Sequence, residues 1–274
     1  MRGSTPAPGP EFVEIGGHTS CVAIARDGDD GPTLVLDAGT GLRAVTGLLG
    51  EQPFRGSILL THLHWDHTQG LPFFRAGDRP DADVRLFLPA QDGPADRLLD
   101  RWMSPPFFPI GTAGLHGRWQ FAMLEEGEVS VEGFHVLARE IPHKGGRTFG
   151  YRVSDARSAI AYLPDHGPSA LGAGADGWGE YHEAAGALVE GVDVLLHDAQ
   201  HTADELPAVA GFGHSAADYA VALGERCGVG RVLLFHHDPH RTDDAVRRLA
   251  ADVAGRSRVP VAAAVQGSVI TLPQ

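Results

Sequence analysis

The segment Thr61-His62-Leu63-His64-Trp65-Asp66-His67 limits what this chain can fold into more than any other stretch. Four residues able to ligate a metal, His62, His64, Asp66 and His67, fall within six positions. They follow an apolar run ending in Leu59-Leu60 and precede Thr68-Gln69-Gly70, which reads as the start of a helix. On an extended strand end, residues i and i+2 point the same way, so His62 and His64 can share one ion. Asp66 and His67 fall where the chain turns and can reach a second ion about 3.5–4 Å from the first. Imidazole nitrogen with carboxylate oxygen suits Zn²⁺, with Mn²⁺ and Fe²⁺ as neighbours in the same chemistry.

Around this segment, short strands alternate with helices. Runs of Val, Ile, Leu and Phe bounded by Gly, Asp, Pro or Ser predict ten strands. They are Cys21–Ala25, Thr33–Asp37, Ser57–Thr61, Val84–Leu88, Phe134–Glu140, Thr148–Val153, Ser158–Leu163, Val192–Asp198, Arg231–Phe235 and Val259–Ala264. Helices are expected at Gly41–Leu49, Ala90–Trp102, Gly179–Val189, Ser215–Cys227 and Thr242–Gly255, with Ser215 as an N-cap. Strands followed by helices in both halves, without a linker, imply one layered α/β domain over residues 1–274.

Composition narrows the function classes. Lys+Arg is 22 against Asp+Glu 35, a net charge of −13. Such a chain gains nothing from the counterion release that drives bulk nucleic-acid binding. No apolar run reaches the roughly 18 residues of a membrane span, and residues 1–10 lack the apolar core of a secretory leader. Two cysteines, Cys21 and Cys227, are too few for a disulfide framework or a Cys-based zinc cluster. The expected compartment is the cytoplasm. The 15 histidines are the outlier.

His62-Leu-His64-Trp-Asp66-His67 resembles the H-x-H-x-D-H signature of the metallo-β-lactamase fold, and further family motifs follow in order along nearly the whole chain. Asp37, in Leu36-Asp37-Ala38-Gly39, resembles the first-motif aspartate that supports the metal site from behind. His143, in Ile141-Pro142-His143-Lys144, and Asp165, in Tyr162-Leu163-Pro164-Asp165, resemble the third- and fourth-motif residues. The fifth-motif histidine falls in Phe235-His236-His237. Strand alternation sends the two rings to opposite faces, and counting from the strand end favours His236. The resemblance implies a four-layer αββα sandwich with two divalent metal ions, most simply zinc. His62, His64 and His143 would hold one ion, and Asp66, His67 and His236 the other. Asp165 and a hydroxide would bridge them, with Asp66 both ligand and catalytic carboxylate.

Within the superfamily, His64 stands where a redox-active diiron branch carries Glu, and Asp165 is the bridging carboxylate that zinc β-lactamases lack. Gly16-Gly17-His18-Thr19-Ser20-Cys21, followed by Asp37-Ala-Gly-Thr-Gly-Leu, resembles the phosphodiesterase branch. That branch holds the phosphoribosyl cyclic phosphodiesterase and the tRNA 3′-processing endonuclease. Gly213-His214-Ser215 resembles the endonuclease's His-Ser-Thr motif, with Ala216 in place of Thr. His197-Asp198-Ala199 resembles its His-Glu-Ala segment, with Asp in place of Glu. His214 held by Asp198 is therefore the candidate that protonates the departing alkoxide, a role suited to a ring titrating near neutrality.

The resulting expectation is a metallo-hydrolase acting on a phosphodiester. His143 and Asp165 are 22 positions apart, which leaves no room for the long arm with which tRNA-processing relatives grip tRNA. A small cyclic phosphate or cyclic nucleotide is the expected substrate. The same metals also suit thioester or other carbonyl hydrolysis, tRNA 3′-end cleavage, or a non-catalytic binding module in cofactor biosynthesis. Lys144, Arg147 and His18 are candidate phosphate or substrate contacts. The loop carrying Trp102, Phe107 and Phe108 reads either as packed or as an aromatic wall for a base. His116, His135, His182 and His240 read as surface residues. The expected partners are a small phosphodiester and, as assembly, a homodimer.

Overall fold

Strand direction decides where side chains with chemistry can gather. The computed structural model describes residues 1–50 and 52–273. They form two compact units, Ser20–Glu125 on the one hand and Met1–Thr19 with the chain from Glu126 onward on the other.

In the unit Ser20–Glu125 the strands are β1 (Val22–Ile24), β2 (Leu34–Leu36), β3 (Arg55–Leu59), β4 (Asp83–Pro89) and β5 (Arg118–Leu124), in that order across one sheet. Only β1 runs antiparallel to its neighbour, while β2 to β5 are parallel. The helices are α1 (Leu42–Leu48), α2 (Trp65–Thr68) and α3 (Ala95–Asp100). Val35, Ile58, Leu60, Val84, Leu86 and Leu88 form the core with Leu42 of α1 and Leu98 and Leu99 of α3. Leu36 pairs with Leu59, so the segments leaving β2 and β3 emerge side by side.

The other unit carries a seven-stranded sheet. Its strands are β6 (Gly127–Val131), β7 (Phe134–Glu140), β8 (Phe149–Ser154), β9 (Ala159–Leu163), β10 (Val194–Asp198), β11 (Val232–Phe235) and β12 (Val261–Ala263), in sheet order β12-β11-β10-β9-β8-β7-β6. β6 to β9 form an antiparallel meander, and β9 to β12 are parallel. The parallel crossovers need helices, which α4 (Glu183–Val189), α6 (Ala217–Arg226) and α7 (Asp243–Arg256) supply, with the short α5 (Leu206–Val209) before α6. Leu163 pairs with His197 and Asp198 with Phe235. Asp165, Asp198 and His236 therefore emerge from three adjacent strand ends. Ligand sites of α/β sheets lie outside the carboxyl ends of parallel strands for this reason.

The ten expected strands are present, as are two that were not expected. β5 and β6 are edge strands, each with a single fully buried residue. The helix expected over Ala90–Trp102 is confined to Ala95–Asp100, because Gly93 adopts φ +107° and Pro94 is the N-cap. The motif helix occupies Trp65–Thr68 and ends where a helix was expected to begin. Ser215 caps nothing. The N-cap of α6 is Ala216, and Ser215 Oγ donates to His166 O at 2.5 Å instead. No helix among the described residues is long and apolar enough to cross a membrane.

Gly70 fastens the segment after α2. Its N–H donates to Ala38 O at 2.8 Å, and a Cβ there would lie 2.1 Å from Gly39 O. That oxygen is backbone and has no rotamer to yield. Gly70→Ala is expected to lower the thermal midpoint and bound metal together, read by calorimetry and elemental analysis.

Candidate metal centre

In the unit Ser20–Glu125, the organising group is a buried carboxylate. Asp37 follows β2 in the left-handed region, at φ 60°, which non-glycine residues seldom adopt and which marks functional sites. Its Oδ1 accepts from the Thr61 N–H at 2.7 Å, and its Oδ2 accepts from Thr61 Oγ1 at 2.9 Å and from His67 Nδ1 at 2.8 Å. Thr61 Oγ1 in turn accepts from His62 Nδ1 at 3.1 Å. One carboxylate thereby orients two imidazoles, directly and through a hydroxyl. His62 lies edge-on to His64 and tilted against His67, with ring centroids 4.3 Å apart in both pairs. His67 Nε2 stands 3.2 Å from Asp66 Oδ2. His62, Asp66 and His67 are buried and His64 is half-buried.

The other unit gathers Asp165, Asp198, His214 and His236, whose ligand atoms all lie within 4.8 Å of one another. Asp165 divides its oxygens. Oδ1 lies 2.8 Å from His236 Nε2 and 3.6 Å from His214 Nδ1, while Oδ2 faces His143 Nε2 at 3.9 Å. His214 Nδ1 donates to Asp198 Oδ2 at 2.9 Å, so the pair anticipated from the sequence is formed. Asp198 also accepts from the N–H groups of His166 (3.2 Å) and Gln200 (3.0 Å). The His214 ring stacks on His236 at 5.0 Å and lies tilted beside His143, also at 5.0 Å. Gly213 supplies the turn, at φ +88°, and its carbonyl accepts from His143 Nδ1 at 2.7 Å.

The neighbouring histidines separate clearly. His236 sits just past β11 at φ 57° with its ring toward Asp165. His237 is fully buried among other groups, and burial, with Arg2 and Arg241 nearby, holds its ring well below its ordinary pKa. His166, His197 and His182 form a chain, His166 Nδ1 to His197 Nε2 at 2.9 Å and His166 Nε2 to His182 Nε2 at 2.8 Å. His182 is thus half-buried and bonded rather than a surface residue. His116, His135 and His240 are exposed as expected.

Each cluster fits a metal by donor chemistry. His62, His67, His143 and His236 each engage Nδ1 with an oxygen, which leaves Nε2 as the lone-pair nitrogen. Those Nε2 atoms of His67, His143 and His236 face carboxylate oxygens at 3.2, 3.9 and 2.8 Å. Two electron-rich atoms so close repel unless a proton or cation lies between them. Ligands about 2.0 Å from a tetrahedral zinc are separated by about 3.3 Å.

The candidate substrate contacts are placed as follows. Lys144 is exposed, with Nζ on Gly211 O at 3.2 Å. Arg147 faces Glu140 at 2.9 Å and Glu126 at 3.9 Å, and lies over the Phe149 ring. His18 is half-buried, its N–H on Gln266 Oε1 at 3.0 Å. Sequence reasoning missed Gln200 and Thr61. Gln200 Oε1 accepts from His236 Nδ1 at 3.0 Å, across 36 positions of sequence. Thr61 opens the motif, and its hydroxyl beside two histidines was the available clue.

Comparison with known proteins gives a consistent neighbourhood. A family model described as the beta-lactamase superfamily domain matches residues 33–237. The ribonuclease Z of Salinibacter ruber is 27% identical over 277 residues, covering 83% of this chain and 82% of that protein. The ribonuclease Z of Limosilactobacillus reuteri is 25% identical over 241 residues, covering 72% and 74%. The fold is shared with the metallo-beta-lactamase fold protein YhfI of Bacillus subtilis, at TM-score 0.68, 17% identity and 97% and 94% coverage. It is shared also with the short form of human tRNase Z, at 0.65, 18% identity and 100% and 99% coverage. A diphosphatase of the PhnP family matches at 0.62, 17% identity and 93% and 85% coverage.

Gln200 offers a clean test, because its main-chain N–H serves Asp198 while its side chain serves His236. Gln200→Leu removes only the second contact. It is expected to weaken metal binding about 10–100-fold in competition with a chromophoric chelator, whereas Gln200→Glu, which keeps an acceptor, retains it.

Proposed function

This chain belongs to the beta-lactamase superfamily and is a hydrolase of it, and from that premise we propose that it cleaves a phosphodiester with two divalent metal ions. Zinc is the first choice for this donor set, with manganese and iron alternatives. The substrate is a small cyclic phosphate or cyclic nucleotide. The observation that carries the reading is the His214–Asp198 pair at 2.9 Å, set 3.6 Å from the carboxylate of Asp165. Carbonyl hydrolysis needs the metals but has less need of a separate group that protonates an alkoxide.

His62, His64, Asp66 and His67 in the unit Ser20–Glu125, and His143, Asp165 and His236 in the other, are the residues that would ligate metal. Asp165 turns its two oxygens to different histidines, His236 and His143. When bound, the ions would supply a water acidic enough to attack near neutral pH and positive charge against the phosphoryl oxygens. The chain's own residues do the rest. Asp37 and Thr61 hold His62 and His67 in the orientation that leaves Nε2 forward. Asp198 accepts from His214 Nδ1 and fixes the ring, and His214 Nε2 carries the proton that departs with the leaving oxygen. Lys144, exposed beside His143, is the cation we assign to the phosphate.

Cleavage at tRNA 3′ ends is the second reading, favoured by relatives named ribonuclease Z. Against it stand the net charge of −13 and the interval between His143 and Asp165, which β8 and β9 largely fill.

The expected result is chelator-sensitive hydrolysis of bis(p-nitrophenyl) phosphate and of 2′,3′-cyclic nucleotides, without turnover of a thioester run alongside. His214→Ala should slow cyclic-nucleotide hydrolysis about 10²–10⁴-fold at unchanged metal content. Thioester turnover alone would overturn the reading, and efficient pre-tRNA cleavage would replace it with the second.

A further inference from the structure

Among the described residues of the unit Ser20–Glu125, the large hydrophobic side chains left exposed are Leu48, Trp65, Phe73 and Phe107. Its three exposed aromatics lie on two adjoining segments, the metal motif with its following turn and the loop packed on that turn. Apolar residues exposed singly need no explanation, but a group of them beside a site does.

On α2, Asp66, His67 and Thr68 point inward, at 4%, 0% and 0% exposure, whereas Trp65 points outward at 70%. Its sequence neighbours are the ligand candidates His64 and Asp66. The turn Leu71–Phe73 follows, and Phe73, 54% exposed, meets Phe108 edge to face at 5.8 Å. The loop that carries Phe108 is tied at both ends by Asp100. The Asp100 carbonyl accepts from Ser104 Oγ at 2.5 Å and its Oδ1 accepts from Thr112 N–H at 2.7 Å. The N–H groups of Phe107 and Phe108 both bond Ser104 O at 2.9 Å. Pro105, Pro106 and Pro109 further restrict the backbone. Phe108 turns in and Phe107 turns out, at 76% exposure. Packing therefore accounts for Trp102 and Phe108, which join the core, and leaves Phe107 unexplained by it.

We propose that Trp65, Phe73 and Phe107 form a stacking surface for the planar ring, nucleobase or aryl, carried by the phosphodiester, so that base-bearing diesters are preferred over those without a ring. This rests on the phosphodiesterase reading above. A diester held at the motif projects an organic group past it, and Trp65 stands exposed between the ligand candidates His64 and Asp66 in the sequence. Flat uncharged rings stack on any base without reading its edges. In a chain of net charge −13, such contact adds affinity for an anionic substrate where bulk charge opposes it.

The test compares kcat/KM for adenosine 2′,3′-cyclic phosphate with that for ribose 2′,3′-cyclic phosphate, which carries a hydroxyl in place of the base. Wild type should favour the base-bearing diester. Phe107→Ala and Trp65→Ala should each lower the ratio about tenfold or more, the scale of a lost base–aromatic stack, and Phe107→Tyr should restore it. An unchanged ratio, or an equal fall on both substrates, overturns the proposal. Binding of adenosine monophosphate by equilibrium dialysis separates this claim from the functional reading. If neither diester is hydrolysed, that reading fails, and a dissociation constant weakened by Phe107→Ala still supports the stacking surface while an unaffected one overturns it. A solution dimer dissolved by Phe107→Ala would assign the aromatics to a second copy and also overturn it.

Discussion

An imidazole has two nitrogens, and it presents one to a metal reliably only when the other is committed to a fixed partner. Four of the candidate ligand histidines make that commitment at Nδ1. His67 donates to the buried Asp37, His62 to Thr61, His143 to a backbone carbonyl and His236 to an amide oxygen. The partners differ in charge, from carboxylate to neutral amide, and a carboxylate raises the donor strength of its imidazole most. One positioning group and one ligand candidate also carry backbone strain. Asp37 and His236 are two of the few non-glycine residues in the left-handed region, and each turns at the end of a strand to aim its side chain.

Sheet topology explains why these partners are available. Parallel neighbours deliver their carboxyl ends to one edge, so β9, β10 and β11 bring Asp165, Asp198 and His236 together although 71 positions separate the first from the last. β2 and β3 do the same for Asp37 and Thr61. Buried carboxylates are costly unless compensated. Arg2 compensates Asp243 with a direct ion pair, whereas Asp165 faces His143, His214 and His236, an arrangement suited to a bound cation.

What the sequence made legible follows the same division. The motif His62 to His67 could be read because its ligands share a few positions and a strand-end periodicity. Asp37, His143, Asp165, His214 and Asp198 could be placed because each sits in a family motif, and the structure brings His214 and Asp198 together as that likeness implied. Counting from the strand end favoured His236 over His237, and since both rings are buried it is direction that separates them, His236 Nε2 facing Asp165 at 2.8 Å. Gln200 was illegible because nothing local marks a glutamine as the partner of a histidine 36 positions away. Of the edge strands, β1 and β12 were legible and β5 and β6 were not; β6 offers only Val129 and Val131 as apolar residues in five positions. Ser215 looked like a helix cap because local pattern cannot foresee that a tertiary acceptor, His166 O, will claim its hydroxyl.

The account turns on His214 as the group that protonates the leaving oxygen, and leaving-group dependence measures that directly. Wild type and His214→Ala would be compared on two phosphodiesters of one nucleotide, one ester releasing an acidic nitrophenol and the other an alcohol. A nitrophenolate departs without help and an alkoxide does not. The account predicts a small loss on the nitrophenyl ester and a loss of about 10²–10⁴ on the alkyl ester. Equal losses on both would contradict it and reduce His214 to a structural neighbour of the metal ligands.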